Sequence, residues 1–334
     1  MTPSRVDPAE ATGRIALVGA GSPEGHRLRK VLETMQVPGS RIDLFGAGET
    51  VLSEYDGEAR MIQEADRAAL EEHRLIFICD TAADAGRFLT DPAPRAITID
   101  LTGAGMGLGL PLIHDRLLPP GDHGPGSALV VAHSLSLLLA DILAPIHRGP
   151  GIESASAVIL RPAADFGDGA VDELRQQTVN LLNFGSPPVG HLGRQLAFNV
   201  VPSEYITGGS AVASERVASE SARLVGSPPV IVSVDMVAVP MFYGHGVNLQ
   251  VTTREPVTPE ALYGLLDAVE GLKADAADSE CTPVEVSGRG GISITAIRAE
   301  AGGNDRFRLW AAADEAEAGS AVQAIRLARQ LGVL

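Results

Sequence analysis

Apolar positions in the first third of the chain fall into short runs, separated by polar stretches with helical spacing. Arg14-Ile15-Ala16-Leu17-Val18 is a five-residue apolar strand that runs straight into Gly19-Ala20-Gly21-Ser22-Pro23-Glu24-Gly25. From His26 to Met35 the apolar residues then recur at helical intervals. Further runs at Arg41 to Phe45, Leu75 to Cys79 and Ala96 to Ile99 read as strands, and intervening segments such as Glu64 to Glu72 read as helices. Strands alternating with helices predict a parallel sheet covered on both faces. The stretch Pro119-Pro120-Gly121-Asp122-His123-Gly124-Pro125-Gly126 is too rich in breakers to be an element, so it is a loop leading into a strand over Ala128 to Ala132.

Beyond it the pattern changes. Leu135 to Ile146 is an apolar helix, followed by longer strands at Ser156 to Leu160, Val230 to Val239, Val247 to Thr252, Ser293 to Arg298 and Phe307 to Ala312. Amphipathic helices lie between them at Val171 to Leu182, Ser214 to Leu224 and Pro259 to Val269. Elements grouped in this way predict an α+β domain with a mixed or antiparallel sheet and helices on one face. The last helix, Gly319 to Leu331, is long enough to dock back on the first domain. The expected organisation is an α/β Rossmann-like N-terminal domain over residues 1–132 plus 319–334, with the α+β domain over residues 133–318.

Length agrees, because 334 residues exceed what one core usually covers. With 45% hydrophobic and 20% charged residues and no apolar run of membrane-spanning length, an ordinary globular protein without a membrane partner is expected. The N-terminal MTPSRVDPAEATGR has no apolar segment of the kind a signal peptide needs, so it reads as a ragged leader on a cytoplasmic protein. The net charge of −16, with Lys30 and Lys273 the only lysines, argues against a nucleic-acid partner. Cys79 and Cys281 are too few for a disulfide framework and lack metal-ligand spacing, so free thiols and no metal are expected.

Candidate chemistry starts at the first turn. Glycines after a strand and before a helix let backbone N–H groups and the helix N-terminus face a pyrophosphate, which nominates Gly19, Gly21, Ser22 and Gly25 for a dinucleotide. The spacing is G-x-G-x-x-x-G, however, Pro23 removes a donor and Glu24 adds negative charge where phosphate would sit. The segment Phe45 to Thr50 has no Arg or Lys for a 2′-phosphate, so NAD is easier to defend than NADP. His133 beside Ser134 invites a serine hydrolase, but there is no G-x-S-x-G elbow and no orienting carboxylate can be nominated. Arg161, Arg194 and Arg216 could share an anion pocket, yet isolated arginines are usually solvated. Asp165 and Asp168 could suit a cation, but the stretch lacks the ligands of a calcium loop and reads as a turn.

Three segments carry a resemblance. Ser127 to His147, Gly193-Arg194-Gln195-Leu196-Ala197-Phe198-Asn199-Val200-Val201-Pro202 and Val239-Pro240-Met241-Phe242-Tyr243-Gly244-His245 resemble aspartate-semialdehyde dehydrogenases, most of all their Usg-type paralogues. Trp310 to Ala321 is similar to that family's entry into its last helix, so the resemblance spans nearly the whole chain. It implies a homodimer built on the second domain. It also implies an NADPH-dependent reduction of an aspartyl phosphate through a cysteine thioester, with NAD or NADP as cofactor. The catalytic positions then fall on Ser134, where the family has cysteine, and on His245. A serine hydroxyl needs a partner base where a thiol does not. The substrate-carboxylate arginine falls on Ala238 and the acyl-orienting glutamine on Pro162, while Leu101 to Met106 holds no phosphate arginine. The substrate-side glutamate and its basic partner fall on Ala213 and Arg216; Glu315 and Glu317 stand where an asparagine and a basic residue border the nicotinamide. The expectation is a catalytically degenerate homologue acting as a dimeric binding or regulatory protein for a small metabolite. The alternative is an active NAD(P)-dependent semialdehyde dehydrogenase of amino-acid biosynthesis.

Overall fold

The computed structural model describes residues 13–46, 51–207, 212–227, 229–275, 281–300, 303–314 and 319–334. They form two compact units, Met1–His133 with Ser320–Leu334, and Ser134–Gly319.

In the first unit the chain runs β1 (Arg14–Val18), α1 (Pro23–Thr34), β2 (Ile42–Gly46), β3 (Val51–Tyr55), β4 (Glu58–Glu64), α2 (Arg67–Leu70), β5 (His73–Ile78), α3 (Ala82–Leu89), β6 (Ile97–Asp100), α4 (Ala104–Gly107), β7 (Leu112–Ile113) and β8 (Ala128–Val131). The sheet order is β3-β4-β2-β1-β5-β6-β8-β7, parallel throughout except for the β3–β4 hairpin. Side chains alternate across a strand, so a sheet covered on both sides needs apolar residues at every position. Strand β1 meets this demand: Ile15 and Leu17 join one core with Leu28 and Leu32 of α1 and with Ala324, Ile325 and Leu327 of the last helix, Ser320–Gln330. Ala16 and Val18 join the opposite core with Ala85 and Phe88 of α3. The helix expected over Glu64 to Glu72 is corrected to the end of β4 and one turn, α2. Asp66 accepts from the Ala69 N–H and starts that turn late, and His73 already belongs to β5.

The second unit runs α5 (Ser134–Arg148), β9 (Ile152–Arg161), α6 (Asp168–Leu182), β10 (Val201–Pro202), α7 (Ser214–Val225), β11 (Ile231–Ala238), β12 (His245–Thr253), α8 (Pro259–Asp267), β13 (Leu272–Ala274), α9 (Pro283–Val286), β14 (Ile292–Ala299) and β15 (Arg306–Ala313). Its mixed sheet has the order β10-β11-β9-β12-β15-β14-β13, with β9–β11 and β13–β14 parallel and the other pairs antiparallel. One face is buried by α5, α7 and α8. Helix α5 is the centre of that layer, with all but three of its fifteen residues buried, as an apolar run on every side requires. The opposite face leaves Val158 and Ile231 exposed among polar neighbours such as Asn248 and Gln250. Phe184 and Phe198 are also exposed, and both hold left-handed backbone (φ 55° and 58°) that bulky residues rarely adopt.

The irregular stretch from 186 to 200 has no ladder to pair its backbone, and α6 supplies partners instead. Glu173 accepts from the His191 and Leu192 N–H groups; buried Gln177 accepts from Leu196 and Ala197 and donates to the Pro188 and Arg194 carbonyls. Near the end of α5, His147 accepts the Ile152 N–H at Nδ1 (3.3 Å). Burial, with the charge of Arg254, lowers its pKa, so the folded chain resists protonating a ring that the unfolded chain would protonate near pH 6.5. Stability is therefore expected to fall as pH drops below about 6.5. A His147→Gln variant should lose less on moving from pH 7.5 to 5.5, and an equal loss in thermal melts would refute this.

Candidate functional site

Ser134 opens α5 and is buried, with 6% of its surface exposed. Helical periodicity brings Leu138 and Asp141 onto its face, and these three line a small cavity with Leu135, His245 at the start of β12, Ile292, Ala313, Asp314 and Gly319. The cavity holds about 20 Å³, room for one or two waters or a methyl-sized group. Its titratable walls are His245 and two carboxylates, Asp141 and Asp314; Asp314 accepts the Gly288 N–H at 2.6 Å.

His245 is 3% exposed, and its Nε2 lies 2.9 and 3.0 Å from the two oxygens of Asp165. Asp165 sits in the short 3₁₀ turn Ala163–Phe166 after β9 and is 5% exposed. Its Oδ2 also accepts from Arg161 Nε at 2.8 Å, and the guanidinium stacks on Phe166, 4.6 Å from the ring centroid. The three groups form a buried chain in which the carboxylate orients the imidazole and the guanidinium holds the carboxylate. Two sequence expectations are corrected here. Arg161 is not a solvated surface group but 2% exposed, because the period-two pattern of β9 puts it on the same face as Ala155, Ala157 and Ile159. Asp165 is not merely part of a turn: its carboxylate holds His245, 80 residues away in sequence. Asp168 is exposed at the start of α6, where a carboxylate favours the helix dipole.

The three arginines do not converge. Arg216 pairs with buried Glu220 (2.8 Å), whose other oxygen accepts from Ser136 Oγ (2.7 Å) and so ties α7 to α5. Arg194 covers the Tyr205 ring and donates to its carbonyl. Ala238 is fully buried beside Ala163, Phe166 and Leu196; Pro162 is buried, and Ala213 stands at the N-cap of α7 without a capping side chain. Glu315 and Glu317 lie outside the described residues. Both cysteines are buried, and burial is the main cause raising each pKa, which keeps them from the thiolate form.

The glycine turn belongs to the first unit. Gly19 adopts φ +88°, and a Cβ there would meet the Asp80 nitrogen at 2.4 Å; one at Gly25 would meet the Gly19 carbonyl oxygen at 2.2 Å. Both positions demand glycine. The N–H groups are mostly spent inside the turn: Gly19 and Ala20 donate to the Phe45 carbonyl, Ser22 to Gly19, and Gly25 to Ser22 Oγ. Ser22 Oγ itself donates to the Cys79 carbonyl. Glu24 is engaged by Arg27 (3.1 Å) and by Ser320 of the last helix. Burial, then the charges of Glu24, Asp100 and Asp80, push the Cys79 thiol up. After β6 the loop closes on Asp100, whose carboxylate accepts from Thr102 and Gly105. The turn has the backbone of a dinucleotide site and a charge that opposes a diphosphate. Ala47 to Thr50, where a ribose would be read, lies outside the described residues. No group of three or more metal-ligating side chains, and no helix long and apolar enough to cross a membrane, occurs among the described residues.

A doubly covered parallel sheet with a glycine turn, joined to a mixed-sheet unit helical on one face, defines a Rossmann-like protein with a second α+β domain. The chain belongs to the semialdehyde dehydrogenase family: residues 143–316 match the family's dimerisation domain, and its relatives are aspartate-semialdehyde dehydrogenases and a USG-1 homologue. It is 23% identical to aspartate-semialdehyde dehydrogenase 2 of Vibrio cholerae, covering 95% of this chain and 97% of the relative. It is 26% identical to the USG-1 protein homolog of Azotobacter vinelandii at the same coverage. A probable aspartate-semialdehyde dehydrogenase from Pseudomonas aeruginosa superposes with TM-score 0.77 over 95% of this chain and 98% of its own, at 23% identity. A Candida albicans aspartate-semialdehyde dehydrogenase solved with NADP gives 0.69 over 96% and 99%, at 15% identity.

Proposed function

We propose that this chain is a homodimeric relative of the aspartate-semialdehyde dehydrogenases that has lost their redox reaction and acts as a binding or regulatory protein. The observation that carries this is the composition of the Ser134 cavity. A hydroxyl stands where the family's thiol is expected, and the described lining contains carboxylates but no lysine or arginine. An aspartyl phosphate has a carboxylate and a phosphoryl group to anchor, and bidentate guanidinium contacts are the usual means. Here Arg161 is spent on Asp165 and Arg216 on Glu220. Homodimer formation is supported by the match to a dimerisation domain and by the exposed Val158, Ile231, Phe184 and Phe198.

A dinucleotide, NAD or NADP, would be held by Gly19, Gly21, Ser22 and Gly25 against the N-terminus of α1, supplying hydride chemistry if bound. Glu24, Asp80 and Asp100 oppose its phosphates, so weak binding is expected, with Kd above about 1 mM for either nucleotide by calorimetry. Asp80→Asn, which removes one charge beside the turn, should tighten it about fivefold, the equivalent of ~1 kcal/mol for a unit charge at ~4 Å in water. Aldehyde oxidation with NADP and phosphate, assayed at high protein concentration, should give no turnover. Micromolar nucleotide binding together with Ser134-dependent turnover would establish the active dehydrogenase instead.

A further inference from the structure

We propose that the open face of the second unit's sheet carries an anion site, built from Arg298, Arg308, Asn248 and Trp310, which takes a small phosphate monoester bearing a flat ring. Strands β12, β14 and β15 form there a trough of about 600 Å³, lined by these four residues together with Ala296 and Glu300. The trough lies on the face turned away from the covering helices. Asn248 and Arg308 are exposed at alternate positions of β12 and β15, whose neighbours Leu249 and Leu309 are buried. Val158 and Ile231, which support the dimer, belong to β9 and β11 and do not line it.

Arg298 reaches this face only through a bulge. Along β14, Thr295 pairs with Trp310 and Arg298 with Arg308, so three steps on β14 match two on β15. Without the extra residue, strand alternation would turn Arg298 towards the helix-covered face, where Ile297 is now buried. Ala296 stands at the bulge with φ 54°, left-handed backbone that a Cβ disfavours, and strain of this kind persists only where the surrounding structure imposes it. Its effect is to set two guanidinium groups directly opposite each other, which is unfavourable unless an anion sits between them.

One carboxylate does not cancel that charge. Glu300 accepts from Arg308 Nε at 2.5 Å, and among the described residues no carboxylate pairs with Arg298. Arg306, two residues before Arg308 and exposed on the same face, adds a third guanidinium. Three arginines against one glutamate make a cationic patch on a chain of net charge −16, and guanidinium forks match phosphate oxygens. Trp310 supplies the apolar wall. Its Nε1 donates to the Cys281 carbonyl at 2.6 Å, and its ring lies over Gly246, where a Cβ would come within 2.6 Å of it. The indole is thereby fixed beside the arginines as a surface on which a ligand ring can pack. A volume of about 600 Å³ suits a small organic phosphate.

Trp310 is the only tryptophan and lines the trough, so its fluorescence reports the site directly. The whole chain is titrated at constant ionic strength with phenyl phosphate, inorganic phosphate and phenol. Phenyl phosphate should give a saturable change, inorganic phosphate should bind roughly fivefold more weakly for want of the ring, and phenol should give none over the same range. Arg298→Gln replaces an exposed side chain and should fold; it should weaken phenyl phosphate at least about tenfold, the loss expected of a hydrogen bond to a charged group. Glu300→Gln releases Arg308 and removes the opposing carboxylate, so it should tighten the complex about fivefold. Opposite signs in these two variants are the signature of an anion held by the arginines. Unchanged affinity in Arg298→Gln, weaker binding in Glu300→Gln, or no saturable response to phenyl phosphate would overturn the proposal. If that last result came with a dimer that dissociates on Arg298→Gln, the arginines would belong to a subunit contact instead. None of these outcomes bears on dehydrogenase turnover, which is measured separately with NADP and phosphate.

Discussion

Replacing Asp165 with alanine should destabilise the second unit by about 3–5 kcal/mol, a large part of the stability of an ordinary domain. The cost comes from what remains. Arg161 would keep its charge at 2% exposure with its carboxylate gone, and His245 would lose the acceptor that fixes Nε2. Rehydrating the guanidinium would mean pulling it off Phe166 and opening the end of β9, where Arg161 is the last strand residue and pairs with Ala238. The double variant Arg161→Met, Asp165→Ala should recover most of the loss, because an apolar side chain of similar length asks for no partner. Trp310, the only tryptophan, lies on β15 of this unit and reports its unfolding by fluorescence. A single-variant loss below about 1 kcal/mol, or a double variant no better than the single, would show that the pair is hydrated in solution.

Strand β1, its turn and α1 were legible because each obeys a local rule: unbroken apolar positions for a two-sided sheet, then glycines where a Cβ would strike backbone. The β3–β4 hairpin was not. Strand β4 is mostly exposed, Glu-Ala-Arg-Met-Ile-Gln-Glu, so its alternation carries little apolar contrast. The site was half legible. Ser134 and His245 came from a resemblance, and the structure puts them on one cavity. Their neighbour Asp165 sits on a turn whose composition is that of any turn, and nothing near it in sequence announces a partner in β12. Arg161 did carry a usable signal, since strand parity places it inward with Ala157 and Ile159. A charged residue on a buried parity implies a buried counterion, and the nearest carboxylate downstream is Asp165.

Restoring the thiol should not restore the dehydrogenase. Ser134→Cys changes one atom at a position the fold accommodates, so a folded protein with less than about 1 kcal/mol of lost stability is expected, and no NADP- and phosphate-dependent aldehyde oxidation. On the function proposed above, the nucleophile is only the first of the parts that the reaction would need. Among the described residues no lysine or arginine lines the cavity to hold a substrate carboxylate, and Asp141 and Asp314 repel one. Adding Ala238→Arg would not supply the clamp. Ala238 is fully buried between Ala163, Phe166 and Leu196, so a guanidinium there overfills the core and strands a charge. That variant should lose more than about 4 kcal/mol and be recovered mainly as insoluble protein. The packing around Ala238 leaves no room for a guanidinium, so single replacements are not expected to build a carboxylate clamp there. Turnover in Ser134→Cys alone would contradict this, because it would mean that a substrate with two anionic groups can be held in a cavity whose charged walls are carboxylates.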